Sequence, residues 1–135
     1  MIVYAVFDTN VIVSAMITPN SDAPTVKVLE MVAIGYIIPL YNDEIISEYD
    51  EVLHRDKFKL REKDISNMIG MILERGIPSN RIASSCPFVD SNDAVFYEVA
   101  LSKDGAYLVT GNTRHFPTKP LVVTPAEMLQ IMKDL

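Results

Sequence analysis

Three acidic residues stand where a folded chain could gather them. Asp8 directly follows the apolar run Met1 to Phe7, Glu48 lies within an amphipathic stretch, and Asp93 opens another. Carboxylates brought together without a counterion repel one another, whereas a hard cation such as Mg²⁺ takes several oxygen ligands from separate elements. If the three do meet, a bound divalent metal ion is the natural reason. Local readings compete with it. Asp8 and Asn10 also suit Asx turns at a strand exit, and Asp93, three residues after Asp90, suits a helix N-terminus. On the helical period Glu48 and Asp50 lie about 100° to either side of the apolar face, so geometry leaves the choice between them open.

The elements that must position these residues are legible from patterning. Met1 to Phe7 is continuously apolar, as expected of a strand buried on both faces of a parallel sheet. "VIVSAMI" and "APTVKVLEMVAIG" read as helices, with Gly35 as a C-cap. "YIIPLY" reads as a short strand whose Pro39 points towards an edge position. "NDEIISEYDEVLHR" is the clearest helix: Asn42 caps it, Asp43 and Glu44 suit its N-terminal dipole, and Ile45, Ile46, Tyr49, Val52 and Leu53 share one face. A further helix spans Glu62 to Arg75 and stops at Gly76. "RIASSCPFV" reads as a short strand, and "DSNDAVFYEVALSK" as a helix with Asp90 as its N-cap. "AYLVT" is a strand, and "LVVTPAEMLQIM" a strand followed by a helix with a Thr124–Glu127 capping box and Pro125 at its first position. Alternating strands and helices predict one α/β domain over residues 1–135 with a central parallel sheet.

In open α/β sheets ligands sit beyond the carboxyl ends of the strands. Asp8 and Asn112, each following a strand, are therefore expected on one sheet edge. Twelve basic against eighteen acidic residues give a net charge of −6, which argues against bulk attraction to nucleic acid but not against a nucleic-acid enzyme, since bound cations reverse a local field. "RDKFKLREK", Arg55 to Lys63, holds five of the twelve basic residues; it reads as a solvated interhelical segment, with a phosphate-contacting patch as the alternative. No apolar run reaches the roughly 20 residues that span a bilayer, and the apolar start lacks the features of a signal peptide. The single cysteine, Cys86, excludes an internal disulfide and favours a reducing, cytoplasmic setting.

The motifs "VFDTNVIVSA", "IISEYDEVLHRDKF", "DSNDAVFYEVA" and "LVTGN…HF" resemble, in order and over nearly the whole chain, the PIN-domain proteins. Within that family they are most similar to toxin components of prokaryotic toxin–antitoxin pairs of the VapC type. The resemblance implies a three-layer α/β/α sandwich around the parallel sheet and Mg²⁺- or Mn²⁺-dependent hydrolysis of RNA phosphodiesters, leaving a 3′-hydroxyl and a 5′-phosphate. It assigns the first acid to Asp8, with Thr9 and Asn10 completing the motif, the second to Glu48 rather than Asp50, and the third to Asp93. The fourth position, usually an Asp after "TG", is Asn112 here, and another acid often found just before the third is Asn92. These departures remove negative charge, so one well-held ion is expected rather than an obligatory pair.

The resulting expectation places Asp8, Glu48 and Asp93 on the metal and Asn112 beside them, able to offer a carbonyl oxygen but no charge. Thr9, Asn10, Asp90 and Arg114 are expected as supporting or substrate-contacting residues. His115 reads as a structural or solvent-facing side chain, with general-acid duty as the alternative; His54 and Cys86 are given no role. Resemblance further implies a small antitoxin partner and a homodimer. A haloacid-dehalogenase-like phosphatase would need a second Asp where Asn10 stands, and a phospho-receiver domain would need an acidic pair and a late Lys that are not evident. The remaining alternative is a degenerate PIN scaffold that regulates by binding RNA or protein without catalysis.

Overall fold

The computed structural model describes residues 2–85, 88 and 91–135. Its sheet is built from five parallel strands, β1 (Val3–Phe7), β2 (Ile37–Tyr41), β3 (Ile77–Pro78), β4 (Tyr107–Val109) and β5 (Val122–Val123), in the order β3-β2-β1-β4-β5. Six helices complete a three-layer α/β/α sandwich: α1 (Thr9–Ile17), α2 (Pro24–Ala33), α3 (Asp43–Leu53), α4 (Glu62–Arg75), α5 (Ala94–Ala100) and α6 (Pro125–Lys133). β1 is the middle strand, and Ala5, Val6 and Phe7 are almost wholly buried. That is why the run before Asp8 shows no alternation of polar and apolar residues. Among the described residues no helix is long and apolar enough to cross a membrane.

The helix signals act as expected. The Asn42 side chain accepts from the Ile45 N–H at 2.9 Å and caps α3, whose Ile45, Tyr49 and Leu53 are buried. Thr124 and Glu127 form a reciprocal capping box at the start of α6, with Pro125 at its first position. Gly35, with φ of +92°, takes the left-handed conformation after α2 that a side chain would strain. Gly76 is needed for a different reason. A Cβ there would meet the carbonyl oxygens of Ile72 and Pro39 at 2.6 Å each, so only glycine allows α4 to turn this closely into the sheet.

Three expectations need correction. "RIASSCPFV" is not a strand in its described part: residues 81–85 are irregular, and the short strand β3 comes from Ile77–Pro78 just upstream. Cys86, Pro87, Val89 and Asp90 lie outside the described residues, the Asp90 cap with them. β2 is an inner strand despite Pro39. β3 pairs only with Leu40 and Tyr41, so the level of Pro39 lies beyond its end and no β3 residue pairs with it. The helix expected over "DSNDAVFYEVALSK" is shorter, a 3₁₀ turn at Ser91–Asp93 leading into α5.

The connection after β3 is fastened by ions. Arg81 reaches Glu98 of α5 through Nε at 2.8 Å and Nη2 at 2.6 Å, and Glu44 of α3 through Nη1 at 2.8 Å. Glu98 also accepts from the Ser84 N–H at 2.9 Å. These donors satisfy a carboxylate that is only 9% exposed.

Candidate active site

The chain winds outward from β1 through β2 to β3, then crosses back to β4 on the other side of β1. The crevice between β1 and β4 is thus the switch point at which such sheets bind ligands. Phe7 pairs with Val109, and the Asp8 N–H donates to the Val109 carbonyl at 2.9 Å. The side chain that follows is drawn into this crevice and is 7% exposed. The Thr110 hydroxyl, fully buried at the end of β4, donates to Asp8 Oδ2 at 2.7 Å and accepts from the Asn112 N–H at 3.0 Å. Asn10 completes the link between the two strand exits, its Oδ1 accepting from the Gly111 N–H at 3.2 Å.

α3 brings the second acid. The Tyr49 hydroxyl donates to the carbonyl of Phe7, pinning the helix against the end of β1. One residue earlier, Glu48 turns to the crevice and accepts a hydrogen bond from the Thr9 hydroxyl. Asp50 faces away, 3.4 Å from His54 Nδ1. The ambiguity that helical spacing left between these two acids is thereby resolved in position: Glu48 lies on the Asp8 side.

Asp93 enters at the head of α5, where the 3₁₀ turn meets the helix. His115 Nδ1 stands 3.5 Å from Asp93 Oδ2, and the Asn112 side-chain nitrogen lies 3.2–3.3 Å from the two ring nitrogens of His115. His115 therefore faces Asp93 and joins it to Asn112. Burial pushes the Asp8 carboxyl up to about 6; the Thr110 hydroxyl and the Thr9 N–H oppose this, and the charges of Asp93 and Glu48 add to it. Burial, with the charges of Asp8 and Glu48, also holds the Tyr49 phenol well above its ordinary value. Asp8, Glu48 and Asp93 thus share one electrostatic field.

Thr9, Asn10, Glu48, Asn92 and Asp93 form the polar end of a cleft of about 430 Å³. The donors are all oxygens of carboxylates, hydroxyls and amides, which suits a hard divalent cation, and the field felt by Asp8 is one that such a charge would reverse. Among the described residues no three Asp, Glu, His or Cys side chains are drawn tightly enough to close around an ion by themselves. A divalent ion bound here would complete its coordination with water rather than sit in an all-protein cage. Arg114 is not part of this cleft; it is exposed and lines a separate hollow with Thr113, Pro117 and Lys119. Two residues of the site carried no sequence signal of their own. Thr110 looked like the last residue of a strand, and Tyr49 like part of an apolar helix face.

No curated protein matches the chain. A family model described as a PIN domain matches residues 4–114, a span that runs from β1 past β4 and takes in every acid of the crevice. Domains of this kind are in general nucleases and usually use divalent metal ions. By that match over most of its length, and with the five-stranded parallel sheet to accompany it, the chain belongs to the PIN-domain family.

Proposed function

We propose that this protein is a Mg²⁺- or Mn²⁺-dependent endoribonuclease that hydrolyses RNA phosphodiester bonds at the β1–β4 crevice. The observation that carries this reading is geometric: Asp8 is buried at the end of β1 with Asp93 and Glu48 close enough to act on its charge, and burial first, then those two acids, raise its carboxyl to about 6. Acids held at such a cost in a cleft are characteristic of sites that await a cation or run acid–base chemistry. Asp8, Glu48 and Asp93 would hold the ion directly or through water. When bound, it supplies polarisation of a phosphoryl oxygen and a water of lowered pKa.

The chain's own residues set the geometry. Thr110 fixes the rotamer of Asp8, and Thr9 fixes that of Glu48. Asn112, standing where the family usually has an acid, offers an amide oxygen and steadies His115. With that charge missing, metal-dependent activity is expected to be weaker than in a four-acid relative, and Asn112→Asp to raise metal affinity. Equal affinity in the two forms, measured by calorimetry, would count against this account.

We further infer the biological setting of a toxin in a toxin–antitoxin pair, with a small antitoxin partner, self-association into a dimer and a cytoplasmic location. The test of the central reading is cleavage of single-stranded RNA with and without Mg²⁺. The wild type should cleave only with the metal, and Asp8→Asn should lose at least about a hundredfold; full cleavage by that variant refutes the assignment. The alternative, a non-catalytic PIN scaffold that binds RNA or protein, is favoured by one observation, the Asn112 amide engaged with His115 where a charge would be expected. It predicts no saturable Mg²⁺ binding.

A further inference from the structure

The cleft has two ends of opposite character. Beyond the acids it continues between Val13, Ile17, Val52 and Phe58, with Arg55 at the side. Ile17, the last residue of the helix that Asp8 opens, is an uncovered apolar side chain, 49% exposed. Phe58 is half-buried and comes not from a helix but from the 3₁₀ turn Asp56–Phe58 between α3 and α4. The next residue, Lys59, has φ of +53°, the one non-glycine residue with positive φ among the described residues. A lysine held in the left-handed region is mildly strained, and such strain gathers where a backbone is bent to present a particular side chain.

The cations around this turn fit the same purpose. Lys57 Nζ lies 5.1 Å from the centroid of the Phe58 ring. Arg55 is oriented by Glu51 through Nη2 alone, at 3.0 and 3.2 Å, so Nε and Nη1 are uncommitted among the described residues. Arg55 and Phe58 line the apolar end of the cleft, and they belong to a segment, Arg55 to Lys63, that holds five of the twelve basic residues of an otherwise acidic chain. An apolar cleft wall, an aromatic ring and flanking cations beside the proposed cleavage centre match an unpaired nucleobase and its phosphate: the base stacks and the phosphate meets the cations.

We propose that Phe58, with Val13, Ile17 and Val52, forms a base-stacking subsite for one unpaired nucleotide next to the scissile phosphate, with Arg55 and Lys57 meeting its backbone. This rests on the ribonuclease reading and makes the substrate single-stranded, since a base within a duplex cannot enter the cleft.

The chain contains no tryptophan, so Phe58→Trp places a single, selectively excitable tryptophan in the cleft. Titrating that variant with a short single-stranded oligoribonucleotide of mixed sequence, in calcium and with the strand checked for integrity, should quench or shift its emission. The same strand annealed to its complement should leave it unchanged. Phe58→Leu keeps the apolar packing and is expected to retain the thermal midpoint while losing about tenfold in affinity for the single strand; Phe58→Tyr restores it. An unaltered tryptophan spectrum, equal affinity of the Leu variant, equal response to duplex, or no binding of the strand by the wild type overturns the subsite. Binding that follows this pattern in a protein that never cleaves RNA refutes the nuclease reading and leaves the subsite standing. Metal-dependent cleavage with Phe58→Leu unimpaired in binding does the reverse.

Discussion

Two carboxylates in this molecule are buried to nearly the same degree, and they are treated in opposite ways. Glu98 is 9% exposed and Asp8 7%. Around Glu98 the fold supplies the Ser84 N–H and the Arg81 guanidinium, which together hold its carboxyl below the ordinary range in spite of burial. Around Asp8 it supplies one hydroxyl, one N–H and two further acids, and the carboxyl rises to about 6. Burial alone therefore does not separate an acid that the fold neutralises from one that it leaves uncompensated. The separation lies in whether the fold provides the counter-charge itself.

The sharpest way to break this contrast is to remove both charges and read stability without metal. At neutral pH ionised Asp8 opposes folding, and the rise from 3.8 to about 6 corresponds to on the order of 3 kcal/mol. Asp8→Asn, which can still accept from Thr110, should be more stable than the wild type in EDTA by up to that amount in urea unfolding. Saturating Mg²⁺ should narrow the gap by stabilising only the wild type. An Asp8→Asn protein that is less stable than the wild type at pH 7 would show that Asp8 is already compensated.

The pH profiles should run in opposite directions. Asp8 has a raised pKa, so its stabilising contribution is present below 3.8 and is lost as pH climbs through about 6. Glu98 has a lowered one, so its contribution is present above 4.5 and is lost as pH falls through its depressed value. Thermal midpoints of the metal-free protein should decline between pH 4 and 7 in the wild type but not in Asp8→Asn. The decline below pH 4.5 should be shallower in Glu98→Gln.

Thr110→Val sharpens the same comparison from the side of the supporting residues. It removes the hydroxyl that steadies ionised Asp8, and Mg²⁺ affinity by calorimetry should fall about 10- to 100-fold; unchanged affinity would leave Thr110 a purely structural residue. The smallest effect expected is that of Glu98→Gln at pH 7, a loss of about 1–2 kcal/mol with Mg²⁺ affinity within threefold of wild type. A large loss of metal binding there would mean that the Arg81 clip, and not the crevice alone, positions Asp93.

Much of this was legible from residue types. The unbroken apolar stretch before Asp8 identified a strand buried on both faces, and Asn42, Thr124 and Pro125 marked helix starts where the structure has them. The segment following β3 was misread because "RIASSCPFV" has the composition of a strand, whereas residues 81–85 are held by side-chain bonds from Arg81 and to Glu98 instead of a ladder. Helical spacing could not separate Glu48 from Asp50; what does is tertiary, the Tyr49 hydroxyl on the Phe7 carbonyl and the Thr9 hydroxyl on Glu48. Thr110 escaped notice for a similar reason, since its partner lies 102 residues away in the sequence.

That separation bears on the order in which the molecule is made. β1 leaves the ribosome long before β4, its neighbour in the sheet, and at about 5–20 residues per second the Asp8 carboxyl waits roughly 5–20 s for Thr110 to be synthesised. Until then the strand that starts the cleft has no partner on one side, and a chain cut short before β4 lacks the hydroxyl that orients Asp8. A ribosome stalled upstream of Tyr107 should accordingly carry a nascent chain in which the crevice, and with it the proposed site, is not yet built.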